Sequence, residues 1–246
     1  MPSFMRVISA RFFASAMSIA LFFMSNTVPY SISEQITELC AKRLPSAYNF
    51  SPVSDIQVLC PGRKGELGVT ELNKKLQQVL NPPSDEKNEI RMPVYVFRTG
   101  DKVMQTKNNY DLPWEKDDGS EGTGVFNGDI GIIESIDKAA KSAVIRFDDR
   151  RVQYNSDNLL NVELAYATTV HKSQGNEFDA VVMPVHYGPP QLYYRNLLYT
   201  AVTRAKKILI IVGNVNVLKQ MVDNNKRTAR YSGLRAFLER GGGNVS

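Results

Sequence analysis

The chain has 246 residues, 43% hydrophobic and 22% charged, with a net charge of +5 and a pI of about 9.1. This composition excludes a low-complexity or disordered chain and leaves room for one or two globular domains. The mild basic excess suits nucleic acid or another polyanion. Two cysteines in apolar surroundings, Cys40 and Cys60, and two histidines, His171 and His186, make neither a disulfide framework nor a metal-ligand spacing.

Residues 1–30 form a leader with two readings. Arg6 and Arg11 precede the apolar stretch Phe12–Met24, and no acid appears before Glu34, which is the pattern of a secretory signal. The stretch is short for a membrane span. Alternatively, Leu21–Ser25 (LFFMS) is the first strand of a sheet.

Residues 31–93 read as the first part of an α/β domain. Ser31 and Glu34 have capping-box spacing, and the stripe Ile36, Leu39, Cys40 and Leu44 predicts a helix stopped by Pro45. Ile56–Cys60 (IQVLC) is a buried strand that runs into Pro61–Gly68 (PGRKGELG). Three glycines and two cations there are open to two readings, an anion-approaching loop or a basic surface turn. The Walker A spacing is absent. Leu72, Leu76, Val79 and Leu80 predict the packing stripe of the next helix. Asn81–Glu89 is a polar linker, and its Asp85-Glu86 pair lacks the apolar strand that a Walker B carboxylate follows.

Residues 94–161 change character. Short alternating strands (VYVFRTGDKVMQT, GDIGIIESID, SAVIRFDD, RVQYN) are separated by turn residues at Asn127-Gly128, Asp137-Lys138 and Asp148-Asp149. The pattern predicts a small antiparallel barrel. Lys102, Lys107, Asn108, Asn109 and Tyr110 form a basic and aromatic cluster, most often a solvated surface but also suited to a nucleic-acid strand.

Residues 162–240 return to α/β. Glu163–Thr168, Ala180–Val185 and Ile208–Val212 are apolar runs of the kind that form buried parallel strands. Arg195–Lys207 is predicted as a helix with Leu198, Ala201, Val202 and Ala205 facing the sheet and Thr200, Thr203, Arg204 and Lys207 opposite. Such polar segments fall near the carboxyl ends of parallel strands, where open α/β sheets take ligands. Val215–Asn224 predicts a short amphipathic helix and Tyr231–Glu239 another, before a flexible tail at 241–246.

At this point a resemblance becomes specific. TTVHKSQGNEFD (168–179) looks like motif V of superfamily-one helicases, and NLLYTAVTRAKK (196–207) looks like their motif VI, with the RecD-like branch the best match. LCPGRKGELGVTELNKKLQQVLNP is similar to the motif IV region of the same branch. The resemblance covers residues 50–213. It implies a RecA-like, P-loop-NTPase-type second domain, a mostly parallel sheet with flanking helices, carrying an inserted small SH3-like β-barrel. It also implies an ATP-dependent 5′-to-3′ DNA helicase. In that frame Arg204 and Arg63 are arginine fingers. Gly175, Glu177 and Gln174 lie on the nucleotide side, and Thr169, His171, Lys172 and Ser173 grip the DNA backbone. Lys102 and Lys107 are further DNA donors on the barrel.

The cofactors so implied are ATP and Mg²⁺, held mainly by a first lobe whose Walker A and B segments do not occur in these 246 residues. The implied partners are single-stranded DNA and that N-terminal lobe, with no membrane, in the cytoplasm. The rival reading is a non-catalytic nucleic-acid-binding fragment that cannot hydrolyse ATP by itself.

Overall fold

The structure is a computed structural model that describes residues 10–14 and 17–225. The expected helix Tyr231–Glu239, the tail and the start of the leader lie outside the described residues.

Strand β1 (Ala10–Ala14) pairs antiparallel with β2 (Met17–Ser25). The apolar LFFMS segment is thus the second half of a longer strand. Helix α1 (Pro29–Glu38) follows and buries Ile32 and Ile36. It starts two residues before the Ser31–Glu34 pair, with proline in its first turn, where no amide hydrogen is needed. The capping box therefore does not form, and Ser33 instead donates its hydroxyl back to the Tyr30 carbonyl at 2.7 Å. Nor does Pro45 stop the helix. A π-helical turn, Leu39–Arg43, carries the chain into α2 (Leu44–Tyr48) with the proline in its first turn.

Strand β3 (Ile56–Cys60) is buried throughout, and α3 (Val69–Leu80) packs Val69, Leu72 and Leu76 inward. Val79 is exposed. The buried face is completed by two polar residues, Asn73 and Gln77, which periodicity of apolar residues cannot reveal. The hairpin β4 (Glu89–Arg91) and β5 (Val96–Arg98) leads into β6 (Lys102–Gln105), β7 (Asn109–Lys116), β8 (Glu121–Val125) and β9 (Ile130–Asp137). Strands β10 (Ser142–Phe147) and β11 (Arg150–Tyr154) and the single turn α4 (Ser156–Leu159) complete this part.

The run at 163–168 is two strands in two different sheets. β12 (Val162–Leu164) pairs with β6 in a seven-stranded antiparallel sheet, order β12-β6-β9-β10-β11-β7-β8. β13 (Ala167–Thr169) pairs parallel with β3 in the main sheet. Strand β14 (Phe178–Val185), helix α5 (Arg195–Val202), strand β15 (Ala205–Gly213) and helix α6 (Val215–Asp223) follow. The main sheet has the order β1-β2-β15-β14-β3-β13 and is parallel except at the β1-β2 edge.

The crossover between the two sheets is tied down by buried amides. Gln57 donates to the carbonyls of Ala165 (3.0 Å) and Tyr166 (3.1 Å). Asn73 donates to Leu164 (2.9 Å) and Ala167 (2.8 Å) and accepts from the Ala167 amide (2.8 Å). Buried Asp101 accepts from Gln77 (2.6 Å), Asn81 (2.6 Å), the Arg98 amide (2.7 Å) and the Tyr166 hydroxyl (2.9 Å). Burial pushes its carboxyl up against the opposing pull of these donors. Helix, hairpin and crossover meet on this one side chain, which orients the small sheet on the large one.

Candidate phosphate-facing site

The site forms where β13 leaves the main sheet. After Thr169 the chain turns on itself, with the Lys172 and Ser173 amides donating to the Thr169 carbonyl at 3.0 and 3.2 Å. Gln174, Gly175 and Glu177 are exposed on this turn, and Gly175 has φ +94°. His171 shares a hydrogen bond with the Tyr194 hydroxyl at 3.0 Å, linking the turn to the residue that precedes α5. Lys172 ion-pairs with Glu163 at 3.2 Å.

Two of the expected DNA donors are not available. Ser173 is buried and donates its hydroxyl to the Val170 carbonyl at 2.8 Å, closing the turn. Lys102 is buried, with its ammonium 3.2 Å from the Ile56 carbonyl and 5.4 Å from the centre of the Phe178 ring. Burial lowers its pKa to about 8. The alternation of β6 failed as a guide because all four of its residues are buried. Lys107 is exposed. Thr169 is half-buried, and its hydroxyl accepts from the Lys172 amide at 3.3 Å.

Arg204 does not stand on a helix face. α5 ends at Val202, and Thr203-Arg204 is the turn into β15, so the predicted helix is five residues too long. The run Ala205–Gly213 is taken by the sheet, where β14 pairs with it from Phe178 to Val185. This placement brings the two motif segments into contact. The Arg204 carbonyl accepts from the Phe178 amide at 2.8 Å, and the Arg204 Nη1 donates to the Asn176 carbonyl at 3.0 Å. The Nη2 reaches Thr203 Oγ1 at 3.4 Å, while the Nε–H is buried with no protein partner. The guanidinium is the side-chain type that donates to phosphate oxygens, and here it is held against the Asn176 carbonyl, one residue past the exposed 174–175 turn.

Arg63 lies elsewhere. Its Nη2 donates to Glu163 at 2.7 Å, so Arg63 and Lys172 flank the same carboxylate. Burial alone would raise the Glu163 carboxyl, but Arg63 and Lys172 more than offset it and hold the pKa below the ordinary value. The Glu163 bond in turn raises that of Arg63. The glycine-rich loop at 62–68 is closed on itself. The amides of Gly68, Val69 and Thr70 donate to the carbonyls of Gly65, Gly62 and Arg63 at 2.9, 3.2 and 3.3 Å. A Cβ at Gly68 would stand 2.5 Å from the Arg63 carbonyl oxygen, so this position needs glycine for close approach. These amides are satisfied and do not offer an anion cradle; the cations remain.

Glu177 is exposed. With Asn176, Asp129 and Arg150 it lines a cleft of about 390 Å³ between the main sheet and the small one. Asn176 and Glu163 are the residues that sequence reasoning missed. Asn176 lay inside the recognised segment without a role, and Glu163 was absorbed into an apolar run. Among the described residues no group of three or more His, Cys, Asp or Glu side chains converges as for a metal ion. No described helix is long and apolar enough to cross a membrane.

Residues 72–147 match the SH3 domain of ATP-dependent RecD-like DNA helicases, and residues 164–212 match the UvrD-like helicase C-terminal domain. The chain is 35% identical over 185 residues to the ATP-dependent RecD2 DNA helicase of Deinococcus radiodurans, covering 75% of this chain and 23% of that protein. It is 31% identical over 183 residues to the RecBCD enzyme subunit RecD of Mycobacterium tuberculosis, covering 74% of this chain and 28% of that one. The chain thus spans about a quarter of the length of these relatives. A crystal structure of Pif1 helicase from Bacteroides with ADP-AlF3 and ssDNA is similar at a TM-score of 0.49 and 20% identity, over 87% of this chain and 51% of that one.

Proposed function

The chain belongs to the RecD-like superfamily-one helicases, matching their C-terminal region, and from that premise we propose that it is the second motor lobe of an ATP-dependent 5′-to-3′ DNA helicase. The observation that carries this reading is the contact between the two motif segments, the Arg204 guanidinium on the Asn176 carbonyl at 3.0 Å. One end of that contact is a half-buried guanidinium, and the other is the turn that bears His171 and Lys172.

In this reading the N-terminal lobe holds the nucleotide and its Mg²⁺. ATP supplies the phosphoryl group whose transfer to water drives translocation. Arg204 meets negative charge developing on the γ-phosphate, a contribution of roughly 10³ to 10⁵ in rate in phosphoryl-transfer enzymes. Gln174, Gly175 and Glu177 lie at the nucleotide edge. Arg63 is the second finger, and it must leave Glu163 to act; the same step frees Lys172 of a competing cation on that carboxylate. Thr169, His171 and Lys172 hold DNA phosphates, donors that carry no sequence information. The site of action is the cytoplasm.

The DNA half is tested by titrating single strands of different sequence at two salt concentrations. Affinity should be indifferent to sequence, should fall steeply with salt through counterion release, and should weaken in Lys172→Ala. Sequence-selective or salt-independent binding would contradict it.

A further inference from the structure

Two large aromatic side chains are held at the surface of the small sheet. Tyr110 is 64% exposed and Phe126 42% exposed, and their rings meet edge to face with centroids 5.7 Å apart at 71°. They are fixed in place. Asn108 donates to the Tyr110 hydroxyl at 3.1 Å, and its carbonyl oxygen accepts from the Asn127 amide at 2.8 Å. The Phe126 ring lies against Gly124, which has φ +104° and where a Cβ would stand 3.1 Å from the ring. The turn that begins at Phe126 is closed by Asp129, whose amide donates to the Phe126 carbonyl at 3.0 Å and whose carboxylate accepts from the Phe126 amide at 3.1 Å.

That same turn touches the phosphate-facing site. The Asn176 side chain donates to the Gly128 carbonyl at 3.1 Å, and a Cβ on Gly128 would be 3.7 Å from the Lys172 carbonyl oxygen. The chain neighbours of the pair are polar, the amides Asn108, Asn109 and Asn127, the exposed cation Lys107 and the acids Asp111 and Asp129. A protein partner docking through apolar contact needs a continuous patch of several hundred Å², which two rings among polar and charged residues do not make. Unpaired nucleobases need only a π-face beside a cationic track.

We propose that Tyr110 and Phe126 are a stacking platform for the unpaired bases of a single strand whose phosphates lie on the 169–172 turn. The platform rests on the DNA half of the function proposed above. It adds a base contact to a site otherwise built from phosphate donors, and it is sequence-tolerant because every base has a π-face.

The test compares the full chain's affinity for a labelled oligothymidine with that for a strand of equal length lacking all bases. The double variant Tyr110→Leu/Phe126→Leu should lose roughly 5- to 100-fold on oligothymidine and less than about two-fold on the abasic strand. Tyr110→Phe, which keeps the ring and loses only the Asn108 bond, should retain oligothymidine binding. Lys172→Ala should weaken both strands. Unchanged oligothymidine binding in the double variant, or an equal loss on both strands, would overturn the platform. A parent chain that binds both strands equally and through Lys172 keeps the DNA reading and sinks the platform alone. A parent chain that binds neither strand overturns both.

Discussion

Glu163 takes Arg63 on one carboxylate oxygen and Lys172 on the other, at 2.7 and 3.2 Å. A cation expected at the nucleotide and a cation expected at DNA therefore share one acid. Residue type told correctly which side chains carry charge, and it could not tell which of them reach solvent. Ser173 and Lys102 were both expected at DNA, and both are buried. Lys102 provides a sharp check. Its folded-state pKa of about 8 lies below the ordinary 10.5, so the cost of burying its charge is fully present below about 8 and vanishes as pH rises towards 10.5. Lys102→Met should therefore be more stable than the parent at neutral pH, by on the order of 1–3 kcal/mol. The gap should close between about pH 8 and the ordinary lysine value. Chemical denaturation of both proteins across that range measures this. A parent that is more stable at neutral pH would show that the bond to the Ile56 carbonyl outweighs desolvation.

At the scale of elements, long apolar runs were the legible part. The strands at 56–60, 180–185 and 208–212 stand in the main sheet. Boundaries were less so, because neighbours decide them. The stretch around Arg204 continues a helical stripe on paper, but β14 offers Ala205–Gly213 a parallel partner and the helix ends at Val202. The split of 162–169 between two sheets is tied down by Asn73, Gln57 and Asp101, whose bonds to it span 65 to 109 positions and leave no local signal. Asn176 joins the elements, with its carbonyl under Arg204 and its amide on the Gly128 carbonyl. Asn176→Ala should cost about 1 kcal/mol and speed amide exchange at 126–129. Exchange at 208–212 should be unchanged. Equal protection of the 126–129 turn in both proteins would mean that this bond does not hold the small sheet to the site.

For the whole molecule, the main sheet ends in the β1-β2 hairpin, and Ala20–Ser25 pair in register with Ile208–Gly213. The leader thus divides physically at about residue 17, a division its composition did not disclose because apolar residues lie on both sides of it. Deleting residues 1–16 removes β1, the outermost described strand of the sheet, and should shift Tm little. Deleting 1–25 also removes Phe22, Phe23 and Met24 from the core and bares the β15 edge, and should lower Tm by on the order of 10 °C. Thermal melts of the two truncations decide this; equal losses would place the essential packing before Met17. The family of the chain was legible from two motif segments, and their contact in space is what a linear pattern cannot supply. Arg204 lies at the centre of that contact, half-buried and bonded to Asn176, so its removal should cost about 1 kcal/mol of stability, more than a side chain on an open helix face would. The most direct measurement is single-strand-stimulated ATP hydrolysis by a chimaera in which this chain replaces the matching region of the Deinococcus radiodurans relative. The isolated chain should not turn over ATP. The chimaera should, and both Arg204→Ala and Arg204→Lys should lower its turnover by roughly 10³-fold or more while leaving nucleotide-free DNA binding intact. Near-normal turnover in Arg204→Ala would contradict the assignment of this chain as the lobe that supplies the finger.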